Sequence, residues 1–418
     1  MAVHFNTVHW AKNANVYEVN IRQYTPEGNF KAFAQHLPRL KDMGVDILWL
    51  MPITPISHLK RQGQLGSYYA CKTYTNINPE FGTLQDFDEL MKNAHALGMK
   101  VIIDWVANHT GCDHEWTYLH AEWYKKDASG NFMEENGWAD VFDLDYTATA
   151  MRTAMIGAMQ FWVKEHDIDG FRCDMAHLVP LDFWKEARIA CDALKPLFWL
   201  AETETVPYHD VFDVSYAWRL MHTTEKQAKG DVGINEVYNV LHGYSQYPQG
   251  AQKLLFTANH DENSWNGTEY EKYGQAAKAW AVLTCTWQGT PLIYSGQELP
   301  NHKRLLFFDK DQIEWQQPVA LHDFYKSLLA LHKQPAISEG ETFILPSPEG
   351  TMCWLRKKDA ATVLILLNLS NQSRLQIPIN HPWLQGTYSN LFTGVELPFM
   401  NEETFELQSY EYLVYVKQ

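Results

Sequence analysis

Short apolar runs alternate with helix-period segments over most of this chain, and that alternation restricts its folds more than any other feature. "VYEVNIRQY" (Val16 to Tyr24) reads as a strand. The next segment carries Phe30, Phe33, Leu37 and Leu40 at helical spacing and stops at Gly44. "DILWLMP" (Asp46 to Pro52) is a second strand. A helix follows that opens on Thr83 and Asp86 in capping-box spacing and closes at Gly98. "KVIIDWV" (Lys100 to Val106) is a continuous apolar run, as expected of a strand covered on both faces. Thr110 to Asp145 shows no clear period. The rhythm then resumes with a helix holding Met151, Met155, Met159 and Trp162, then strand "DGFRCDMA", helix "LDFWKEARIACDAL" and strand "LFWLAETE" (Leu197 to Glu204). Val211 to Trp218, Lys253 to Asn263 and Gly289 to Glu298 complete eight strands. Helical or long connections between all of them favour parallel pairing with right-handed crossovers, and eight such units predict a closed (β/α)8 TIM barrel. An open doubly wound sheet is the alternative the periodicity allows.

From about Ala336 the texture changes. "TFILPS", "TMCWLRKK", "ATVLILLNLS", "RLQIPI" and "YEYLVYVKQ" are short alternating strands separated by Pro, Gly and Asn. They predict a C-terminal antiparallel β-sandwich. The expected organisation is a barrel over residues 1–109 and 146–335, an inserted domain B over 110–145 after strand three, and the sandwich over 336–418.

Charge narrows the function. Thirty-four basic and 50 acidic residues give a formal net charge of −16, with no cluster of Lys or Arg. A polyanion would be repelled, so nucleic acid is not an expected partner, and a neutral substrate fits. Aromatic residues reach 14%, including 16 Trp, which suits stacking against sugar rings. The six cysteines are scattered with no CxxC, and read as free buried thiols. Their low number leans towards a reducing compartment. "MAVHFNTVHW" lacks the basic start and apolar core of a secretory signal, so a cytoplasmic location is the expectation, with a processed secreted or periplasmic form as the alternative. No apolar run approaches the ~18 residues of a membrane span. Oligomeric state is left open.

In a parallel barrel the chemistry gathers at the C-terminal strand ends. Strand three ends in Asp104, then Asn108 and His109; strand four carries Arg172 and Asp174; strand five ends in Glu202; strand seven ends in Asn259, His260 and Asp261. Side chains alternate along a strand, so Arg172 and Asp174 point the same way. The arginine is expected to lower the Asp174 pKa and hold it ionised, as a nucleophile requires. Glu202, behind the apolar "FWLA", is expected to keep its proton and act as general acid. Retaining glycosidases divide labour between two carboxyl groups in this way. Asp261 could hold hydroxyls or favour an oxocarbenium-like transition state. Each residue also has a plain structural reading. Arg172 and Asp174 could be an ion pair only, Asp104 and Asn108 could finish a strand, His109 and His260 could be core histidines, and Glu204 could be rim. Cys112, His114 and His120 fit no familiar zinc spacing and read as loop.

These stretches resemble the four signature regions of the alpha-amylase family, glycoside hydrolase family 13. "DWVANH" (Asp104 to His109), "GFRCD" (Gly170 to Asp174), "LAE" (Leu200 to Glu202) and "ANHD" (Ala258 to Asp261) match them in order and in strand position. "GTPLIYSGQE" is similar to the family's strand-eight segment, "VFDLD" (Val141 to Asp145) to the end of its domain B, and "YYACKTYTNINPEFGT" to the loop with a stacking tyrosine, here Tyr69. The resemblance implies Asp174 as nucleophile, Glu202 as acid/base and Asp261 as transition-state stabiliser. It also implies that Arg172 positions Asp174, that His109 and His260 grip hydroxyls, that Tyr69 stacks on the sugar and that Asp104 supports the site. The implied reaction is hydrolysis of α-1,4-glucosidic bonds in starch or maltooligosaccharides with retention, without a cofactor for the chemistry. A transglycosylase using the same intermediate and a non-catalytic carbohydrate-binding barrel are the alternatives. Where some amylases carry Lys-His after the nucleophile, this chain has His177 and Leu178, which alters the leaving-group side. Asn108 and Asp143 match two positions that hold a structural calcium ion in such enzymes.

Overall fold

The computed structural model describes residues 5–248 and 250–417. The first residues of the stretch read for a signal, 1–4, and the last residue of the final expected strand, 418, lie outside the described residues. Eight strands form a closed parallel barrel: β1 (Val16–Val19), β2 (Ile47–Leu50), β3 (Lys100–Trp105), β4 (Gly170–Cys173), β5 (Phe198–Ala201), β6 (Val214–Tyr216), β7 (Gln252–Leu255) and β8 (Thr290–Tyr294). Strand neighbours follow sequence order around the ring. The open-sheet alternative is therefore excluded. β1 is shorter than Val16 to Tyr24. Asn20 ends it, and its carbonyl accepts the backbone N–H groups of Gln23 and Tyr24 to start the helical turn Ile21–Tyr24.

By contacts the chain divides into two compact units. One holds residues up to 11, Val16–Tyr216 and Leu305–Glu314; the other holds Lys12–Asn15, Ala217–Arg304 and the chain from Trp315 onward.

In the first unit, β1 to β6 are almost wholly buried, which explains their unbroken apolar runs. Helix Leu84–Ala96 begins with the capping box: Thr83 accepts from the Asp86 N–H and Asp86 accepts from the Thr83 N–H. Helix Thr149–His166 buries Met151, Met155, Met159 and Trp162. Trp162 also donates its indole N–H to the Tyr74 carbonyl at 2.7 Å. The stretch without periodicity contains a two-stranded antiparallel ribbon, His109–Gly111 with Val141–Asp143, in which His109 faces Asp143. A single helical turn, Glu115–Leu119, and a 3-10 turn, Ala121–Trp123, lie between the two arms. Elements this short leave no period for a sequence to display.

In the second unit, β7 and β8 pair in parallel. Helix Ala277–Thr286 is buried at every residue but Lys278. The C-terminal strands are β9 (Glu341–Ile344), β10 (Thr351–Lys358), β11 (Ala361–Asn368), β12 (Leu375–Asn380), β13 (Gly386–Asn390), β14 (Glu396–Phe399), β15 (Glu402–Leu407) and β16 (Tyr412–Lys417). β9, β10, β11, β16, β13 and β14 form one antiparallel sheet in that order, and β12 pairs with β15 in another. Leu355, Leu364 and Leu366 from the large sheet and Ile377, Phe405 and Leu407 from the small one share a single core. This is the expected sandwich.

All six cysteines are free and buried. Among the described residues, no helix is long and apolar enough to cross a membrane.

Candidate active site

Parallel register lines up the chemistry of the first unit. Asp104 on β3 pairs with Arg172 on β4, and Cys173 on β4 pairs with Ala201 on β5. The next residues, Asp174 and Glu202, therefore leave adjacent strand ends. The Asp174 N–H bonds to the Trp105 carbonyl at 3.0 Å and the Glu202 N–H to the Cys173 carbonyl at 3.0 Å, extending the ladder.

Arg172 is fully buried and organises three carboxylates. Its Nη1 donates to Asp104 Oδ1 and to Asp174 Oδ1, both at 2.9 Å. Its Nη2 lies 2.8 Å from Glu202 Oε2, an ion pair without hydrogen-bond alignment. Nε donates to the Tyr216 hydroxyl at 3.2 Å. The guanidinium carbon sits 4.9 Å from the Trp49 ring centre and 5.5 Å from that of Tyr216. These aromatic faces hold the cation in a dry site. Asp104 also accepts from Trp49 Nε1 at 3.1 Å and from the Tyr69 hydroxyl at 3.0 Å. A direct bonding network thus gathers Tyr69, Asp104, Arg172, Asp174 and Glu202.

Asp174 differs electrostatically from the expectation. Burial pushes its carboxyl well above the usual range; Arg172 opposes this, while Glu202 and Asp104 add to it. One guanidinium cannot compensate three buried carboxylates, so desolvation and like charge prevail. Asp174 therefore keeps its proton to higher pH than an exposed aspartate does. Glu202 Oε2 also accepts the Met175 N–H at 3.0 Å, from a residue in left-handed conformation (φ 40°). For a non-glycine residue this backbone is strained, and here it aims a donor at the acid.

His109 is buried beside the Trp138 ring, with centroids 5.0 Å apart. Burial pushes its pKa down to about 4, against a raising backbone contact with Tyr69, so the ring is neutral near pH 7. Tyr69 is half-buried and lies parallel to Phe307, with centroids 6.3 Å apart. His177 is exposed on the 3-10 turn Ala176–Leu178, where its carbonyl accepts from the Tyr208 hydroxyl at 3.2 Å. In the second unit His260 is buried, with Nε2 3.4 Å from Asp261 Oδ2. Asp261 immediately precedes a π-helical turn, Glu262–Asn266, which Asn259 Oδ1 caps by accepting the Glu262 N–H at 2.8 Å.

Trp49, Tyr216 and the Met175 N–H escaped the sequence reading. The first two occupy β2 and β6, and an aromatic on a strand reads simply as core. Their signal is the polar atom that a buried Trp or Tyr must satisfy.

At the two residues matched to a calcium site, the donor set suits a different cation. Asn108 Nδ2 lies 3.5 Å from Asp143 Oδ1, and Lys125 Nζ lies 3.4 Å from Asp143 Oδ2. Both carboxylate oxygens face hydrogen-bond donors, whereas calcium takes six to eight oxygens. Among the described residues, no three His, Cys, Asp or Glu side chains gather as a metal site.

The chain is similar to known proteins over most of its length. The sequence profile described as "Alpha amylase, catalytic domain" matches residues 9–122 and 117–334. A relative named alpha-amylase MalA, from Haloarcula japonica, is 27% identical over 350 residues, covering 79% of this chain and 50% of the relative. The chain thus spans half the length of that relative. The crystal structure of an alpha-amylase from Lactobacillus plantarum superposes with a TM-score of 0.89 at 30% identity, over 98% of this chain and 100% of that one. A structure of a noncanonic maltogenic alpha-amylase from Thermotoga neapolitana gives a TM-score of 0.90 at 29% identity, over 98% and 99% of the two chains.

Proposed function

The chain belongs to the alpha-amylase family, and from that membership we propose that it is a retaining hydrolase of α-1,4-glucosidic bonds in starch-like chains or maltooligosaccharides. The observation that carries the proposal is that Asp174 Oδ1 and Glu202 Oε2 lie within 3 Å of one buried guanidinium. A retaining glycosidase needs two carboxyl groups at one bond, one as nucleophile and one as acid/base, and the shared guanidinium with adjacent strand ends supplies such a pair.

Asp174 attacks the anomeric carbon, forming a C–O bond as the glycosidic bond breaks. Glu202 gives its proton to the departing oxygen. It then takes a proton from water, whose oxygen displaces Asp174 from the sugar. Two inversions give net retention. As the ester forms, the negative charge of Asp174 is consumed, and Arg172 stays paired with Asp104 and with Glu202, which has become the anion. Asp104 fixes Arg172 and, through its second oxygen, the Tyr69 ring that is assigned the sugar face. Neutral His109 offers a hydrogen bond to a sugar hydroxyl without adding a cation beside the developing positive charge. Asp261 and His260 take the stabilising and hydroxyl-gripping roles that the family motif gives them. His177 lies on the leaving-group side.

The test is a product time course on maltooligosaccharides of defined length, with the anomeric form of the first products read by NMR. Shorter chains released as the α-anomer support the reading. Chains longer than the input would replace hydrolysis with transfer. No turnover on starch, pullulan, cyclodextrins or sucrose would leave a sugar-binding barrel instead.

A further inference from the structure

We infer that Lys125 is a built-in structural cation that stands in for a bound calcium ion and positions His109. Its ammonium lies 2.6 Å from Glu135 Oε2 and 3.4 Å from Asp143 Oδ2. The Asp143 side chain is only 1% exposed, so its charge requires a partner inside the protein.

The backbone delivers that partner. The Lys125 N–H bonds to the Asp143 carbonyl at 3.0 Å, the Met133 N–H to the Lys125 carbonyl at 3.0 Å, and the Asp143 N–H to the Met133 carbonyl at 2.9 Å. Tyr124, next in sequence, bridges to Leu144 and shares a 2.8 Å hydrogen bond with Thr110. Lys125 is therefore laid along the ribbon edge with its side chain aimed at Asp143.

From Asp143 the chain of contacts runs to His109, to which the proposed function gives a sugar hydroxyl. Asp143 is the cross-strand neighbour of His109. Asn108 Nδ2 points to Asp143 Oδ1 at 3.5 Å and to His109 Nδ1 at 3.3 Å. The Asn108 carbonyl accepts the Leu144 N–H at 3.0 Å. With Asn108 as donor, His109 Nδ1 is the acceptor, which leaves the ring proton on Nε2. The ammonium thus fixes Asp143, Asp143 orients the Asn108 amide, and that amide selects the His109 tautomer. A divalent cation would have to displace both the lysine and the amide N–H from Asp143, so the lysine makes the ion unnecessary.

Thermal unfolding of the purified chain tests this, without reliance on the proposed reaction. Wild-type Tm should agree to about 1 °C between excess EDTA and excess calcium, and purified protein should carry no stoichiometric calcium by elemental analysis. Lys125→Met should lower Tm by roughly 2–5 °C, because it strands a buried carboxylate. Lys125→Arg should recover most of the loss, and so should Lys125→Met combined with Asp143→Asn. With maltooligosaccharide substrate, Lys125→Met should raise KM several-fold more than it lowers kcat, since His109 binds rather than reacts. A wild-type Tm that falls in EDTA and returns with calcium overturns the inference. A Lys125→Met variant with wild-type Tm overturns the structural role, and one with wild-type KM overturns the positioning role.

Discussion

Arg172 and Asp174 leave one face of one strand, two residues apart, and meet at 2.9 Å through Nη1 and Oδ1. The same Nη1 reaches Asp104, and Nη2 reaches Glu202. A lysine has the charge but not the fork, so Arg172→Lys leaves at least one buried carboxylate without its partner. Stability should fall by about 2–4 kcal/mol. Arg172 is the main influence holding the Asp174 carboxyl down against burial. Without it that pKa rises further, and because the nucleophile works only when ionised, the acid limb of kcat/KM moves to higher pH. An Arg172→Lys profile whose acid limb coincides with that of wild type would show that Arg172 does not tune the nucleophile.

Asp174→Asn and Glu202→Gln should each lower kcat by about three orders of magnitude or more. The stability of Asp174→Asn should move the other way. A folded-state pKa above the unfolded value means that ionised Asp174 opposes folding at neutral pH. Asparagine removes that charge, while Arg172 keeps Asp104 and Glu202 as partners. Urea unfolding at pH 7 should therefore find Asp174→Asn at least as stable as wild type. A variant retaining more than about a tenth of the wild-type rate would remove that residue from the chemistry.

The barrel was legible in the sequence because each of its strands must bury both faces, which writes eight apolar runs, and because the acids at their ends interrupt those runs. The motif residues Asp104, Arg172, Asp174 and Glu202 were legible for the same reason. The Asp174 proton affinity was not. Alternation along a strand reveals Arg172 beside Asp174, but not the walls that desolvate them or the Glu202 and Asp104 charges arriving from neighbouring strands. Trp49 and Tyr216 stayed hidden because lateral register places them on Arg172. Lys125 stayed hidden because ribbon pairing brings it to Asp143, eighteen residues away.

Gly170, the first residue of the "GFRCD" motif, has a backbone role that the motif alone conceals. A Cβ there would sit 2.1 Å from the Phe198 carbonyl oxygen and 2.9 Å from that residue's nitrogen. Neither can yield without separating β4 from β5, the strands that carry Asp174 and Glu202. Gly170→Ala should cost roughly 3 kcal/mol or more and lower kcat beyond what the lost folded fraction explains. Circular dichroism with urea titration measures the first effect, and activity corrected for folded fraction the second. A fully stable Gly170→Ala protein would mean that the strands part easily at this point.

In the second unit, His332 offers a clean test of acid sensitivity. It is buried at the end of helix His322–His332, with Nδ1 3.1 Å from the Cys285 carbonyl. Burial pushes its pKa from 6.5 down to about 4, opposed by the Cys285 hydrogen bond and aided by Arg356. Between those values the unfolded chain binds the proton and the folded chain does not, so falling pH favours unfolding. The stability contributed by the neutral ring is intact above 6.5 and is lost as pH falls towards 4, a total on the order of 3 kcal/mol. His332→Gln can keep a donor to Cys285 but cannot take up a proton. Its urea-derived stability should therefore gain on wild type steadily from pH 7 to pH 4, whatever fixed penalty the substitution carries. Parallel stability curves for the two proteins across that range would mean that His332 takes up its proton equally in the folded and unfolded chains.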